Sequence, residues 1–288
     1  MVVDATDDDF YLPDECWEHV FKFIMKYDRE DNNYSRYFRS LSVVNKQFLS
    51  ITNRLRDSLN IKLLTCPFLP SLFRRFPNLT SLHVSGSDNL LCQISTFSLN
   101  LAWLRLSYLS TLPTDGLRAF SQNITTITSF TCSMTVSLNT TDMFLIADCF
   151  PNLKLLELNN CYNLSEEGIA HVLRKCSNIR HLNLENCIGL KLSEINFEVP
   201  ELRVLNLSYT RVDDESLYVI SKSCRGLLKL VLNNCCDVTE KGVKHVAKNC
   251  KKLREISLRG CYRVDADVVG SIVSSRPSLR KITAPPSL

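Results

Sequence analysis

The feature that most constrains this chain of 288 residues is an internal repeat, whose period is set by one recurring spacing of apolar residues. Successive copies begin at nearly equal intervals, at Pro151, Ser177, Pro200, Arg225, Lys251 and Pro277. A fixed period of about 20 to 50 residues is typical of solenoids, in which each unit contacts only its neighbours. The repeat therefore predicts a stack of similar units that share one continuous core.

Each copy opens with the spacing L-x-x-L-x-L-x-x-C. Four copies match it through Leu153, Leu156, Leu158 and Cys161, through Ile179, Leu182, Leu184 and Cys187, through Leu227, Leu230, Leu232 and Cys235, and through Leu253, Ile256, Leu258 and Cys261. The copy at Leu202 has Thr210 in the cysteine position, and weaker copies at Leu79, Leu101 and Ile127 extend the array back to about residue 60. The alternating apolar positions predict a short strand in each unit.

The second half of each unit changes to helical spacing. Apolar residues three and four positions apart occur at Ile169, Val172 and Cys176, for example. Capping oxygens stand before these segments at Ser165, at Thr239 and in Asp213-Asp214-Glu215. A strand followed by a helix in every unit predicts an α/β leucine-rich-repeat solenoid, with a curved parallel sheet and outer helices.

This solenoid is expected over residues 59–288, as about eight to nine units of which the last is incomplete. Leu279 and Ile282 begin one more strand, and Pro285-Pro286 then stop it. The sequence therefore predicts an array that ends without a covering helix, although solenoids normally cap their ends.

The start of the chain lacks the basic and apolar segments of a secretory signal, and no stretch has the apolar length of a membrane helix. We therefore expect a soluble protein of the cytoplasm, the nucleus or both, neither secreted nor membrane-bound. Disulfides among the 13 cysteines are then not expected, because that environment keeps thiols reduced. The repeated cysteines include no C-x-x-C pair, so the pattern favours buried small side chains over a metal site.

Charge is distributed unevenly along the chain. Residues 1–60 hold 8 Lys and Arg against 11 Asp and Glu, a net charge of −3, whereas the remaining residues hold 26 against 19, a net charge of +7. Proteins that bind nucleic acid usually concentrate basic residues on one face or stripe. The basic residues here are scattered, so nucleic acid is not an expected partner.

The first sixty residues follow a different pattern. Leu12-Pro13-Asp14-Glu15 precedes a run in which Trp17, Val20, Phe21 and Ile24 fall on one helical face. After a polar stretch, a second run places Leu41, Val44, Phe48 and Ile51 on one side. The residues alone leave open whether this segment is only a small helical cap on the solenoid.

The segment resembles an F-box. The residues that match the F-box pattern are Leu12, Pro13, Glu15, Val20, Ile24, Leu41, Val44, Lys46 and Phe48. Asn45 stands where the family often has cysteine, and the loop after Ile24 is longer and more charged than usual. An F-box before cysteine-containing leucine-rich repeats is the arrangement of the plant-like F-box family. The resemblance implies a small all-α F-box bundle over residues 11–58, and the composition of residues 1–10 predicts a disordered segment before it.

The resemblance also implies a function. Proteins of this family are non-catalytic, substrate-recognition subunits of SCF ubiquitin ligases, and their F-box docks onto a Skp-type adaptor that connects to cullin and RING subunits. The residues expected to contribute to that interface are Leu12, Pro13, Val20, Val44 and Phe48. The sequence shows no nucleotide-binding, hydrolase or metalloprotease motif, so we expect neither enzyme activity nor a cofactor or metal.

The repeats are expected to bind a protein substrate with the concave face of the sheet, because alternate strand residues point away from the core. The candidate residues on this concave face are His83, Trp103, Arg105, Thr131, Glu157, Asn159, His181, Asn183, Glu185, Asn206, Lys229, Asn233, Glu255, Ser257 and Arg259. Trp103 is the foremost candidate, since tryptophan and arginine dominate binding hot spots. A shift of one residue in the irregular early units would bury it instead.

Two other functions are compatible with the same pattern. A leucine-rich-repeat scaffold or inhibitor would use the same concave face without joining a ligase. A small-molecule receptor like the plant hormone F-box proteins would need more repeats and a basic cofactor pocket, and the sequence has no such cluster.

Overall fold

The computed structural model describes residues 12–28, 34–85, 88–135, 137–265, 267–268, 270, 272, 276 and 278–284. The chain divides into two compact units. The first unit comprises the residues up to Leu59 together with Pro67–Thr80, and the second comprises Asn60–Cys66 and the residues from Ser81 onward. The segment expected to be disordered, residues 1–10, lies outside the described residues, as does Pro285-Pro286.

The first unit is helical. Its helices are α1 (Asp14–Asp28), α2 (Tyr34–Ser42), α3 (Lys46–Leu55) and α4 (Leu69–Arg75). Phe21, Phe38 and Ile51 form its buried cluster, and Trp17 and Phe48 pack against it. The ring of Phe48 lies 4.7 Å from that of Trp17 and 4.9 Å from that of Phe21, measured between centroids, so aromatic contacts join α1 to α3.

The second unit consists of strands that alternate with helices. The strands are β1 (Ser58–Lys62), whose first two residues belong to the first unit, β2 (Ser81–Ser85), β3 (Trp103–Ser107), β4 (Ser129–Ser133), β5 (Leu155–Glu157), β6 (His181–Asn183), β7 (Val204–Asn206), β8 (Lys229–Val231), β9 (Glu255–Ser257) and β10 (Lys281–Thr283). The helices are α5 (Asp88–Ser95), α6 (Thr114–Asn123), α7 (Thr140–Cys149), α8 (Glu166–Lys175), α9 (Asp214–Ser223) and α10 (Glu240–Asn249), and a 3₁₀ helix spans Leu63–Phe68. The strands form one sheet in chain order.

Equivalent positions of successive units pair in register in this sheet. Every pair from β2 to β10 is parallel, and Leu156 stands opposite Phe130 on one side and Leu182 on the other. The leucines of the repeat pattern are buried from Leu79 to Leu258, including Leu156 and Leu182, whereas Leu279 of the last, incomplete repeat is half-buried. The second unit is therefore the predicted leucine-rich-repeat solenoid, because each repeat buries its apolar side chains only by stacking on the next repeat.

The predicted helix caps are present. The Ser165 hydroxyl accepts a hydrogen bond from the backbone N–H of Gly168 at 3.0 Å, and Asp213 caps α9 through the N–H of Ser216 at 2.9 Å. Thr239 caps α10 through the N–H of Lys241 at 3.2 Å. These side chains satisfy N–H groups that have no partner within the helix.

One unit departs from the predicted strand-and-helix pattern. The described segment from Ile188 to Val199 contains turns but no helix. Leu190, Leu192 and Ile195 are buried there and fill the space that a helix occupies in the other units. The physical reason is length, since this repeat is shorter than its neighbours by two or three positions.

Candidate binding surfaces

The residues expected to bind an adaptor differ in exposure. Val20 and Val44 are exposed by 44% and 60%, although they are apolar, and Pro13 is exposed as well. Leu12 is half-buried, and Phe48 is half-buried within the core contacts of the first unit. Val20, Pro13 and Val44 are therefore accessible to a partner, whereas Phe48 also stabilises the helices.

Polar contacts hold the start of α1 against α3. The Gln47 amide donates to the Asp14 carboxylate at 2.9 Å and to the Leu12 carbonyl at 3.3 Å. The Arg54 guanidinium lies 2.8 Å from Asp14 and 3.0 Å from Glu18. Hydrogen bonds from Arg54 and Gln47 lower the pKa of Asp14 below its ordinary value. The Leu-Pro segment is thus fixed to the helix that follows Val44.

The candidates on the concave face lie at strand positions between buried leucines or directly after them. In β3, Leu104 and Leu106 are buried, Trp103 is half-buried and Arg105 is exposed. The pairing of Trp103 with Ser81 and Ser129 fixes this register. Trp103 therefore lies outside the core, and the alternative in which a shifted register buries it does not occur.

Trp103 and Arg105 form a small cluster with Thr131 and Glu157 of the next two repeats. The Arg105 guanidinium carbon lies 5.1 Å from the centre of the Trp103 ring, a cation–π distance. The Trp103 indole N–H donates to the Thr131 hydroxyl at 3.0 Å, and that hydroxyl donates to Glu157 at 3.2 Å. Trp103, Thr131 and Glu157 are thus connected across three strands.

His83 lies beside this cluster. Its Nε2 atom is 2.8 Å from the Ser107 hydroxyl. Burial lowers the pKa of His83 below its ordinary value, and the positive charges of Arg105 and Lys62 lower it further. The neutral imidazole is therefore favoured at physiological pH, and the positive charge in this part of the concave face belongs to Arg105 and Lys62.

The later strands carry paired polar groups. Asn206 donates to the Glu185 carboxylate at 3.2 Å, and Lys229 and Glu255 form an ion pair at 3.1 Å. Further concave-face candidates in this part of the sheet are Asn159, His181, Asn183, Asn233, Ser257 and Arg259, and all are half-buried or exposed. The Ser257 hydroxyl donates to Asn233 at 2.6 Å. Several polar groups of the concave face therefore already have partners within the sheet.

A second surface follows the strands at their carboxyl ends. The residue before each repeat cysteine, or before the threonine or leucine that replaces it, has a left-handed backbone with φ between 56° and 73° in nearly every described unit. The residues are Tyr108, Met134, Asn160, Asn186, Tyr209, Asn234 and Gly260. The backbone N–H groups of the first six residues donate to a carbonyl of the next repeat, as from Asn186 to Ser208 at 2.8 Å and from Tyr209 to Asn233 at 2.8 Å. The left-handed turn therefore extends the hydrogen bonding between units beyond the strands.

Large side chains are exposed along this line. We use the name carboxyl-edge row for Tyr108, Met134, Tyr162, Ile188, Tyr209 and Tyr262, whose exposed fractions range from 42% to 74%. The sequence prediction missed this row. The sequence contains the pattern that could have predicted this row, because its residues stand directly before or after the cysteine position of the repeat.

A cavity of about 520 Å³ lies in a gap of the carboxyl-edge row, where the unit of β8 has Cys236 in place of a large side chain. Its lining residues are Glu185, Tyr209, Asn233, Asn234, Arg259, Gly260, Tyr262 and Ala284. An added Cβ at Gly260, where φ is +73°, would lie 2.2 Å from the Asn234 amide oxygen. The cavity therefore depends on glycine at this position.

The described part of the chain has neither a cluster of metal ligands nor a membrane-spanning helix. No group of three or more His, Cys, Asp or Glu residues is placed to hold a metal ion among these residues. None of the described helices combines the length and the apolar character that crossing a membrane requires.

The fold and its exposed sheet define a leucine-rich-repeat solenoid joined to a helical unit. No protein-family model matches the chain. Over 107 residues it is 31% identical to the antagonist of mitotic exit network protein 1 of Candida glabrata, an alignment that covers 34% of this chain and 21% of that protein. Its fold is similar to that of a chain in the crystal structure of the Rad7 and Elc1 complex in yeast, with a TM-score of 0.58, 16% identity, and coverage of 93% of this chain and 87% of the other.

Proposed function

We propose that this chain is the substrate-recognition subunit of an SCF-type ubiquitin ligase. Its first helices act as an F-box that docks a Skp-type adaptor, through which cullin and RING subunits join, and its repeats bind a protein substrate. The observation that carries this proposal is that Val20 and Val44, which match the F-box pattern, are apolar and exposed. Phe23 and Val43 of the same unit are also apolar and exposed, and a group of exposed apolar side chains is typical of a surface that another protein covers.

The fold comparison agrees with a protein that works within an assembly. The similar solved chain comes from a complex of two proteins, Rad7 and Elc1. The proposal requires no catalytic residue in this chain, because ubiquitin transfer belongs to other subunits of such a ligase. Side chains on the concave face differ from unit to unit, which suits recognition of one particular substrate.

The adaptor interface can be tested with a purified Skp-type adaptor and the full chain. We expect the wild type to bind, and the double variant Val20→Asp/Val44→Asp to bind at least about tenfold more weakly, because two carboxylates would be buried at the interface. Leu64→Asp is the matched control, since Leu64 is apolar and 87% exposed but lies in the second unit. It should bind like the wild type in isothermal titration calorimetry.

Absence of adaptor binding by the wild type would refute the ligase role, as would equal binding by the double variant and the wild type. Circular dichroism should show that both variants retain the helical content of the wild type. Phe48 is unsuitable for this test because its ring packs on Trp17 and Phe21, so its truncation would destabilise the first unit as well.

An inhibitory role outside a ligase is the second candidate function. One observation favours it, namely that the related protein of Candida glabrata is named as an antagonist. The same titration separates the two functions. An inhibitor that acts only through its repeats would not bind the adaptor, and substitutions at Val20 and Val44 would not alter its activity.

A further inference from the structure

We propose that the cavity between Tyr209 and Tyr262 receives an acidic side chain of an extended polypeptide that lies along the carboxyl-edge row. Arg259 supplies the positive charge that binds the carboxylate. This inference rests on the part of the proposed function in which the repeats bind a protein. It does not depend on the adaptor.

The charge of Arg259 is uncompensated within the described part of the structure. Its side chain is exposed and has no ion pair or hydrogen bond to another described residue. By contrast, the nearby cation Lys229 is already paired with Glu255. A guanidinium group binds a carboxylate through two parallel hydrogen bonds, so an acidic side chain is the complementary ligand.

A second acidic residue of the ligand is disfavoured at the part of the cavity that Glu185 lines. Glu185 also lines it, and its carboxylate accepts a hydrogen bond from Asn206 at 3.2 Å. No ion pair joins Glu185 to Arg259, although the structure describes both side chains. The two opposite charges therefore give the ligand a direction, with its acid at Arg259 and a hydrogen-bond donor at Glu185.

The two tyrosines provide the apolar contact. Tyr209 and Tyr262 are exposed by 50% and 61%, and tyrosine gives a large contact area at low entropic cost. Tyr209 has φ of 58°, a conformation that asparagine adopts more readily, as Asn186 and Asn234 do in the adjacent units. Backbone geometry alone thus favours asparagine at this position, which points to another role for the tyrosine.

The length of the row indicates a polypeptide. Adjacent strands of a sheet lie about 4.8 Å apart, so the six intervals from Tyr108 on the edge of β3 to Tyr262 on the edge of β9 span about 29 Å. About nine residues of extended chain cover that distance. The exposed apolar side chains along the row match the side chains of such a segment better than a compact small molecule.

The subsite can be tested by selecting binders from a displayed library of random twelve-residue peptides. We expect peptides selected on the full wild-type chain to be enriched in Asp and Glu. Synthetic versions should bind Arg259→Glu at least about tenfold more weakly in fluorescence anisotropy. Replacing the acidic residue of the peptide with lysine should restore part of the affinity for Arg259→Glu.

Two further variants separate recognition from stability. Tyr209→Asn should weaken peptide binding without lowering the melting temperature, because asparagine tolerates the left-handed conformation. Arg254→Glu is the matched control for charge reversal, since Arg254 is exposed and outside the cavity lining. It should change the affinity less than twofold, a much smaller effect than that of Arg259→Glu.

The proposal is overturned if no peptide is enriched, if the enriched peptides lack acidic residues, or if Arg259→Glu binds them like the wild type. Adaptor binding by the same variants keeps the two proposals distinct. If the wild type binds acidic peptides but no adaptor, the ligase role fails and the subsite stands. If it binds the adaptor but shows no acid-dependent peptide binding, the subsite fails and the ligase role stands.

Discussion

The repeat cysteines contribute more than apolar volume. Cys187, Cys235 and Cys261 are buried, and their thiols donate to carbonyl oxygens of the preceding unit. The distances are 3.0 Å to Leu158, 3.1 Å to Leu207 and 2.9 Å to Leu232. A thiol is small enough for the core and can still serve a carbonyl there, which explains why the pattern uses cysteine at this position.

These contacts predict selective thiol reactivity. Burial raises the pKa of Cys187 and of Cys235 to about 12, so at pH 8 the thiolate fraction of each is about a thousandfold smaller than that of an ordinary cysteine. We expect iodoacetamide to modify the exposed Cys16 and Cys236 of the native protein and to leave Cys187 and Cys235 unmodified. Mass spectrometry of peptides measures this, and unfolding in urea should make all four reactive.

The left-handed residues predict a gain in stability on substitution. Tyr108 has φ of 57° and is 74% exposed, so its side chain contributes little burial to offset the cost of this conformation. We expect Tyr108→Asn to increase the free energy of unfolding by about 1 kcal/mol. Tyr262→Asn is the matched control, because Tyr262 is 61% exposed but does not have positive φ. Equal effects of the two substitutions in urea titrations would contradict this explanation.

At the residue scale, the sequence predicted the core better than the binding surfaces. The spacing of the repeat pattern predicts that side chains such as Leu156 and Cys187 are buried, because alternation along a strand determines the face on which each residue lies. The same spacing does not determine backbone handedness, so the exposure of Tyr209 was not predicted. Arg259 was predicted on the concave face, but its place beside Tyr262 depends on the loops that follow the strands.

At the scale of the elements, an acidic side chain at the start of one helix also holds the start of the next. The Asp214 carboxylate of α9 accepts hydrogen bonds from the backbone N–H groups of Thr239 and Gly242, at 2.8 Å and 3.0 Å, and from the Thr239 hydroxyl at 2.5 Å. Glu166 of α8 similarly accepts hydrogen bonds from the backbone N–H groups of Ser193 and Glu194, at 2.8 Å and 3.1 Å. Acidic residues at helix starts therefore couple neighbouring units.

This coupling predicts a difference between adjacent acidic residues. Asp214→Ala should lower the free energy of unfolding by about 2 kcal/mol, because it leaves N–H groups at the start of α10 without their acceptor. Glu215→Ala is the control, since Glu215 stands in the same turn but is exposed, and its effect should stay below about 0.5 kcal/mol. Urea unfolding at pH 7 measures both. Similar losses for the two variants would show that helix charge, and not the contact between units, is responsible.

At the scale of the whole molecule, the regular period of the repeat was sufficient to predict the solenoid, because one unit cannot bury its apolar face alone. The period was insufficient to predict the segment after Cys187, where a shorter repeat has turns in place of a helix. For the first unit, Trp17 and Ile51 indicated helices that share a core, and the structure has them. The identity of the first unit as an F-box stays a prediction, because a small helical bundle is compatible with many partners.

The backbone hydrogen bonds made by the left-handed residues have a consequence for biosynthesis. Asn160, Asn186 and Tyr209 each donate to a carbonyl of the following repeat, so these repeats complete their backbone hydrogen bonds only after the strand and turn of the next repeat are in place. On the ribosome, we expect the most recently emerged unit of a nascent chain to remain sensitive to protease. In chains stalled at increasing lengths, the protected fragment should then grow in steps of one unit, always ending one unit behind the chain that has left the exit tunnel.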